Sequence, residues 1–461
     1  MSDYDLIVVG AGPGGYPAAI RGAQLGLRVA VVEKEKLGGV CLNWGCVPSK
    51  ALLKSAEMLH NIQNAKSYGI NVSDVEVDFA QVIKRSRKTS KRFGTGVKGL
   101  FKKYGVVSIA GTARLTASDT VVVSSADGKE VTYTAQHIVV ATGARALTFP
   151  GLEPDGEHIL TYREAITATV RPESVVIVGA GAIGIEFAYF FNAMGAKVTV
   201  IEGQNEILPN EDVEVAAELR KQLTKQGIDF QIGVLVQSVK AEKSGVVVTL
   251  SSDEELRAEK AIIALGVRPN VEDIGLEAVG VEVGRRGVVV DSSYRTNVAG
   301  VYAVGDVCDR GAALAHVATR AAHVLVERIM GMEVPDIDDT MVPSCTYCIP
   351  QVASVGYTEQ AAIAAGYTIS VAKFPFMANA KAHGAGHPEG FVKVVVDTQY
   401  SEILGAHIVG ADATEMIGEF VLARSSEATA ELISTTIHAH PTLSETSMEA
   451  VALALGHTVH L

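Results

Sequence analysis

At 461 residues the chain is too long for one hydrophobic core, and about three domains are expected. Its hydrophobic fraction of 48% and formal net charge of −12 fit a packed globular protein and argue against nucleic acid as the main partner. No apolar run reaches the roughly 18 residues of a membrane span, and the five cysteines are too few for a disulfide framework in so long a chain.

The N-terminus enters an apolar strand almost at once, so no secretory signal is expected and a cytoplasmic location is the simpler reading. An organellar protein with its leader removed would read the same. Residues 6–15 run Leu-Ile-Val-Val-Gly-Ala-Gly-Pro-Gly-Gly: a strand, then a turn with Gly10, Gly12 and Gly15, then a helix. Pro17 falls just inside that helix, where it removes a donor. A second strand, 29–33, ends in Glu33, 23 residues past Gly10. The unit is repeated 169 residues later, with Gly179, Gly181 and Gly184 in the turn and Glu202 again 23 residues past the first glycine. A lone Gly-x-Gly-x-x-Gly is weak evidence. With a strand before it, a helix after it and an acid at the next strand end, twice in register, it predicts two dinucleotide sites. The first glycine allows the tight turn, the second lets a pyrophosphate approach, and the third lets helix and strand pack. The helix N-terminus then faces the anion. Glu33 and Glu202 are placed to accept from adenosine ribose hydroxyls. Glu202 would repel a 2′-phosphate, which points to NAD rather than NADP.

Between the two copies, residues 38–50 read Gly-Gly-Val-Cys-Leu-Asn-Trp-Gly-Cys-Val-Pro-Ser-Lys. In a regular helix residues five apart have Cα atoms about 8.7 Å apart, and a disulfide spans at most about 7 Å. If Cys41 and Cys46 pair, the backbone between them is not a regular helix, and the flanking glycines permit such a distortion. Residues 50–104 read as two helices. The second carries nine Lys or Arg from Lys84 to Lys103 and no acid, a pattern read as a solvated face, with a docking patch as the alternative. Residues 112–124 and 130–134 look like hairpin strands around Asp127-Gly128, and 139–144 closes the first domain. After the second copy come 264–270 (Ala-Leu-Gly-Val-Arg-Pro-Asn) and 301–306 (Val-Tyr-Ala-Val-Gly-Asp), and from about 340 strand-like runs alternate with helices.

Near the C-terminus, His438-Ala-His440-Pro-Thr-Leu-Ser-Glu445 supplies acid–base groups. A histidine near its ordinary pKa can take a thiol proton at neutral pH, and a carboxylate on its other nitrogen would orient it. Cys345-x-x-Cys348, His438 with His440, and His383 with His387 each lack the ligands that would complete a metal site, and no metal is expected.

The segment Gly-Gly-x-Cys-x-Asn-x-Gly-Cys-x-Pro-Ser-Lys resembles the redox-disulfide signature of the pyridine nucleotide–disulfide oxidoreductases, and the ordered motifs extend the resemblance over the whole chain. Within the family it is similar to the members that oxidise dihydrolipoyl groups. The resemblance implies an α/β fold with two Rossmann-like domains, for FAD and NAD, and an α+β C-terminal dimerisation domain. The boundaries it implies are 1–147 and 271–339 for the FAD-binding part, 148–270 for the NAD-binding domain and 340–461 for the dimerisation domain. It makes Cys41 and Cys46 the redox disulfide, with Cys41 attacked by substrate and Cys46 facing the flavin. It makes His440, directly before a proline, the base, with Glu445 as its partner. It implies a Lys50–Glu186 ion pair near the reactive flavin nitrogen, Asp306 on the ribityl chain and His316 beside the flavin pyrimidine edge. Gly143, Gly266 and Ala315 join the cofactor-binding set. The implied reaction passes two electrons from protein-bound dihydrolipoyl groups to NAD⁺. The implied partners are a second copy, giving a homodimer, and a lipoyl-bearing protein in trans, since no such domain is fused at either end. Two other readings are an NAD(P)H-dependent reductase of glutathione or coenzyme A disulfide, and a non-catalytic flavin-bearing subunit. Glu202 argues against the NADPH-driven reductases, and the intact set Cys41, Cys46, His440 and Glu445 argues against the inert subunit. Trp44, between the redox cysteines, and the pair Cys345 and Cys348 depart from the family's usual residues.

Overall fold

The computed structural model describes residues 2–461. It divides into two units. One is built from residues up to Ala51, Ala80–Leu147 and Gly266–Asp339; the other from Leu52–Phe79, Thr148–Leu265 and Thr340–Leu461.

The first unit is centred on a parallel sheet in the order Val107–Ala110, Val29–Glu33, Tyr4–Val9, Glu130–Val140, Val301–Ala303. Its central strands carry unbroken apolar runs, Leu6–Val9, Val29–Val32 and Ile138–Val140, because both faces are covered there, as buried parallel strands require. The period of two divides the work. Leu6, Val8, Val29 and Val31 pack with Ala18 and Ala321 on one side, and Ile7, Val9, Ala30 and Val32 pack with Leu115 and Val121 on the other. Helices Gly15–Gln24 and Ala315–Ile329 lie on the first of these faces. Pro17 is the third residue of Gly15–Gln24, and the first-turn N–H groups of a helix have no partner within it, so the proline breaks no helical bond. The strand Glu130–Val140 belongs to two ladders. Its first half runs antiparallel to Thr120–Ser124 and its second half parallel to Tyr4–Val9.

The second unit repeats the parallel arrangement in the order Asp229–Ile232, Lys197–Glu202, Ser174–Val178, Lys260–Ile263, Ile159–Leu160. The helix Ala182–Ala193 packs against it, and a three-stranded antiparallel sheet covers part of the same core. The C-terminal segment forms a five-stranded antiparallel sheet in the order Ser344–Thr346, Gln351–Gly356, Ile403–Gly410, Phe391–Asp397, Ile369–Pro375. Helices Ala413–Ser425, Ala430–Thr435 and Glu445–Ala454 cover it, so that Phe374, Phe420 and Val451 share one apolar cluster.

The expected fold class therefore holds, and so do the two helices after residue 50, which run Cys46–Gln63 and Phe79–Tyr104. The hairpin region differs in detail. Residues 112–124 are two strands, Thr112–Ala117 and Thr120–Ser124, turning at Ser118-Asp119, and the third strand continues to Val140. A two-residue turn without glycine leaves little punctuation in the sequence, which is why the segment reads as one strand. No helix among the described residues is long and apolar enough to cross a membrane.

Candidate active site

The two glycine turns have the same internal wiring. Gly10 and Gly179 take φ of +102° and +105°, a region that a side chain would strain. A Cβ on Gly15 would stand 1.9 Å from the Gly10 carbonyl oxygen, and one on Gly184 would stand 2.0 Å from that of Gly179. Helix and strand approach that closely only because the third glycine has no side chain. Each strand-end glutamate holds its own turn. Glu33 accepts from the N–H of Ala11 (2.8 Å) and Glu35 (2.8 Å); Glu202 accepts from the N–H of Ala180 (2.7 Å) and Gln204 (2.8 Å). Both carboxylates are thus oriented, and each oxygen keeps a lone pair for a ribose hydroxyl. The middle glycines differ. A Cβ on Gly12 would come 3.8 Å from Gly39 Cα, whereas one on Gly181 would meet nothing within 4 Å. The positive φ, the close backbone packing and the oriented acid all fit a dinucleotide on each turn.

The segment carrying Cys41 and Cys46 is not a regular helix. Cys41 lies in the short helix Gly39–Asn43, Trp44 breaks it at φ −140°, and Cys46 opens the helix Cys46–Gln63. The two thiols are within hydrogen-bonding reach. That bond to Cys46 is the main force raising the Cys41 pKa, burial adds to it, and the Lys50 charge opposes it. Cys46 occupies the first position of an 18-residue helix, where negative charge is favoured. Asn43, buried, ties the loop by donating to the carbonyls of Leu37 (3.0 Å) and Gly39 (2.9 Å). Ser86 donates to Pro48 O (3.0 Å), Arg85 to Ala51 O (2.7 Å) and Arg87 to Asn43 O. Sequence reasoning missed Asn43 and this brace, whose partners are 34 to 44 residues away. The Lys36 ammonium stands 5.2 Å over the Trp44 ring.

Asp306 follows the strand Val301–Ala303, and partial burial raises its carboxyl pKa. Ala315 and His316 open the helix Ala315–Ile329, and Thr319 on that helix donates to Pro13 O (3.1 Å) in the first glycine turn. Gly143 (φ +67°) and Gly266 (φ +107°) flank the place where the chain leaves and re-enters the first unit. There Thr142 Oγ1 donates to Asn270 O (2.7 Å), and Asn270 Nδ2 returns a bond to Thr142 O (2.9 Å).

The remaining groups lie in the second unit. Glu186 is buried on Ala182–Ala193 and accepts from the Tyr347 N–H at 3.2 Å. His440 Nδ1 lies 2.9 Å from Glu445 Oε1, and Glu445 Oε2 accepts from the Thr442 N–H at 2.7 Å. Burial pushes the Glu445 carboxyl up, but the Thr442 amide and His440 outweigh it and leave the group below its ordinary value. With Nδ1–H donating to Glu445, Nε2 keeps its lone pair, and the His440 side chain is 73% exposed. His438 is different. Its side chain is only 7% exposed, with Nε2 2.7 Å from Glu419 and Nδ1 2.9 Å from Thr436 O, so both nitrogens are engaged and neither is open to substrate. Cys345 lies on Ser344–Thr346, and Cys348, buried just beyond, donates to Pro350 O at 3.1 Å. His387 falls outside the short helix Ala380–Ala385 that carries His383. Among the described residues no group of three or more His, Cys, Asp and Glu could hold a metal ion.

The family model of the pyridine nucleotide-disulphide oxidoreductases matches residues 4–322, and that of their dimerisation domain matches residues 342–451. The chain belongs to this family. A dihydrolipoyl dehydrogenase of Rhizobium etli is 46% identical over 477 residues, with 99% of each chain covered. One of Zymomonas mobilis is 44% identical over 466 residues, with 100% of each chain covered. Among solved structures, LpdA from Mycobacterium tuberculosis superposes with a TM-score of 0.92 at 28% identity over 97% of this chain and 99% of that one. The flavoprotein disulfide reductase RclA from Escherichia coli, solved as a Cu(II) complex, superposes at 0.88 with 25% identity, over 98% of this chain and 100% of that one. The family and fold class expected from the motifs hold, and the chain is an oxidoreductase.

Proposed function

We propose that the chain is a dihydrolipoyl dehydrogenase that oxidises protein-bound dihydrolipoyl groups and reduces NAD⁺, using FAD. The observation that carries this reading is the Cys41–Cys46 thiol pair, hydrogen-bonded on a broken helix directly beside the first glycine turn. The full-length relatives named for this activity support it.

The residues divide the work as follows. His440 takes a proton from a substrate thiol on Nε2, and Glu445 stabilises the resulting imidazolium. The substrate thiolate attacks Cys41 of the oxidised pair, forming a mixed disulfide and releasing Cys46 as a thiolate at its helix N-terminus. The second substrate thiol closes the lipoyl disulfide by attacking the substrate sulfur of that bond, and its proton passes to the departing Cys41 sulfur. Cys41 then leaves, and the pair holds the two electrons. FAD, held by Gly10, Gly12, Gly15, Glu33, Lys50, Gly143, Asp306, Ala315 and His316, would carry those electrons onward to NAD⁺. Gly179, Gly181, Gly184, Glu186, Glu202 and Gly266 serve the nicotinamide side, and the fixed Glu202 carboxylate disfavours a 2′-phosphate.

The domain limits we propose are 1–147, 148–270, 271–339 and 340–461; the contact division also breaks at Leu147, Leu265 and Asp339, but it joins Thr148–Leu265 with Thr340–Leu461 and adds Leu52–Phe79 to that unit. The dimerisation-domain match supports a homodimer, and within it we propose that His440 of one copy serves the cysteines of the other. The substrate arm arrives on a separate lipoyl-bearing protein, and a cytoplasmic location fits a thiol-based redox pair.

Steady-state assays with dihydrolipoamide and NAD⁺, against NADP⁺, and against NADPH with oxidised glutathione or coenzyme A disulfide, test the activity. Faster turnover with either disulfide than with dihydrolipoamide would overturn it. Refolding a Cys46→Ser variant together with a His440→Gln variant tests the shared site. Each alone should be nearly inactive, the mixture should recover activity, and no recovery in mixed dimers confirmed by mass would place the site within one chain.

A further inference from the structure

The helix Phe79–Tyr104 carries nine Lys or Arg and no Asp or Glu, in a chain whose net charge is −12; the remainder therefore carries −21. Its inner face is committed to packing, with Phe79, Ile83, Ser86, Val97 and Phe101 buried. Lys84, Lys88, Lys91, Lys98 and Lys102 follow helical spacing and form one exposed line along the outer face. Phe93 (51% exposed) and Leu100 (39%) border that face. Opposite charges at i, i+4 would support a solvated helix, and this helix has no such pair. It sets Lys84 against Lys88, Lys88 against Arg92 and Lys98 against Lys102, an arrangement that repels itself locally. Sequences keep such local conflicts where function needs them. The same helix is fixed to the redox segment. Ser86, Arg85 and Arg87 donate to the carbonyls of Pro48, Ala51 and Asn43, so the lysine line stands at a set position relative to Cys41 and Cys46.

We propose that this lysine face is the docking surface for an acidic protein domain that presents the dithiol substrate on its arm. The inference rests on the function proposed above. A positive face anchored to the redox segment raises the encounter rate of a negatively charged carrier and orients it, while a small neutral dithiol gains nothing.

The test compares the holoenzyme with a Lys88→Glu/Lys91→Glu/Lys98→Glu variant, which preserves helix propensity. The substrates are an acidic dihydrolipoyl-bearing carrier domain and free dihydrolipoamide, at about 20 and about 200 mM salt. We expect kcat/KM for the carrier to fall about tenfold or more at low salt, with the salt dependence of the native enzyme lost. Dihydrolipoamide kinetics should stay within about twofold, because the change lies in encounter and not in chemistry. Unchanged carrier kinetics overturn the proposal. If both substrates are affected, the Lys→Gln triple variant decides: a parallel loss there overturns it, and a selective loss on the carrier supports it. Vesicles with anionic phosphatidylserine and a single-stranded RNA are included as competing probes. Binding of either that the variant abolishes, with carrier kinetics unchanged, assigns the face to that ligand instead. A native enzyme that fails to oxidise free dihydrolipoamide refutes the proposed function and leaves the docking result distinguishable from it.

Discussion

Lys393 carries the largest single stability prediction. Its ammonium lies 2.9 Å from Asp212 Oδ2, 2.8 Å from Glu214 Oε2 and 2.9 Å from Glu359 Oε2, and the side chains of Lys393 and Asp212 are 0% exposed. Burial alone would lower the lysine pKa, but bonds to Glu214, Glu359 and Asp212 overcome it and hold the group charged. Lys393→Met keeps the aliphatic bulk and removes the one cation the three carboxylates share, with Lys373 left paired to Glu214. Asp212 is also committed as a helix cap, accepting from the Glu214 N–H at 3.0 Å, so it cannot turn away without losing that bond. Removing one partner of a buried pair costs about 3 to 5 kcal/mol. At roughly 2 °C per kcal/mol for a large cooperative unit, the melting temperature should fall by about 6 to 10 °C. Lys393 and Lys373 together hold the Glu214 carboxyl below its ordinary value, a contribution present above the unfolded pKa and lost as pH falls through the depressed one. The gap between native and variant enzyme should therefore be widest near neutral pH and narrow in acid. Lys393→Met/Asp212→Asn removes both buried charges and should recover part of the loss. Differential scanning calorimetry of the holoenzyme across pH decides. A loss under about 1 kcal/mol, with no effect of the second substitution, would refute the reasoning.

Four further outcomes follow from the geometry. Gly184→Ala puts a Cβ 2.0 Å from the Gly179 carbonyl and should raise KM for NAD⁺ about tenfold or more while weakening the second unit. Gly181→Ala meets no protein atom within 4 Å, so it should leave the melting temperature unchanged and raise only KM, and an unchanged KM would remove that turn from the site. Glu202→Gln removes the like charge facing a 2′-phosphate and should narrow the preference of kcat/KM for NAD⁺ over NADP⁺ by about tenfold, read with both nucleotides at several salt concentrations. Arg145 holds the Glu272 carboxyl at about 2. Because that pKa is depressed, its contribution to stability exists above the unfolded value of 4.5 and is lost as pH falls toward 2, so Glu272→Gln should destabilise near neutral pH and less in acid.

The parts legible in the sequence are those whose physics is local. Gly10, Gly15 and Glu33 lie within one strand–turn–helix–strand unit, and their spacing is imposed by helix pitch and strand length, so the second copy confirmed the first. The break between Cys41 and Cys46 was legible because five residues of regular helix are too long for a disulfide. What the sequence hid depends on distant partners. Lys393 and Asp212 meet across 181 residues, and neither side of that pair is marked. Local chemistry alone does not separate His438 from His440; the resemblance did, by the proline after His440, and the fold supplies the reason, sealing His438 against Glu419 on the helix Ala413–Ser425 and leaving His440 open. Pro17 looked anomalous only while the helix start was unknown.

The two middle glycines have unlike surroundings. A Cβ on Gly39 would stand 2.7 Å from Gly12 Cα, so the redox segment leans directly over the first turn; a loop also donates to the second turn, from Leu208 N–H to Ala180 O (2.9 Å), but it leaves Gly181 clear. The same strand–turn–helix wiring thus leaves one middle glycine pressed by a neighbouring loop and the other with open space beside it.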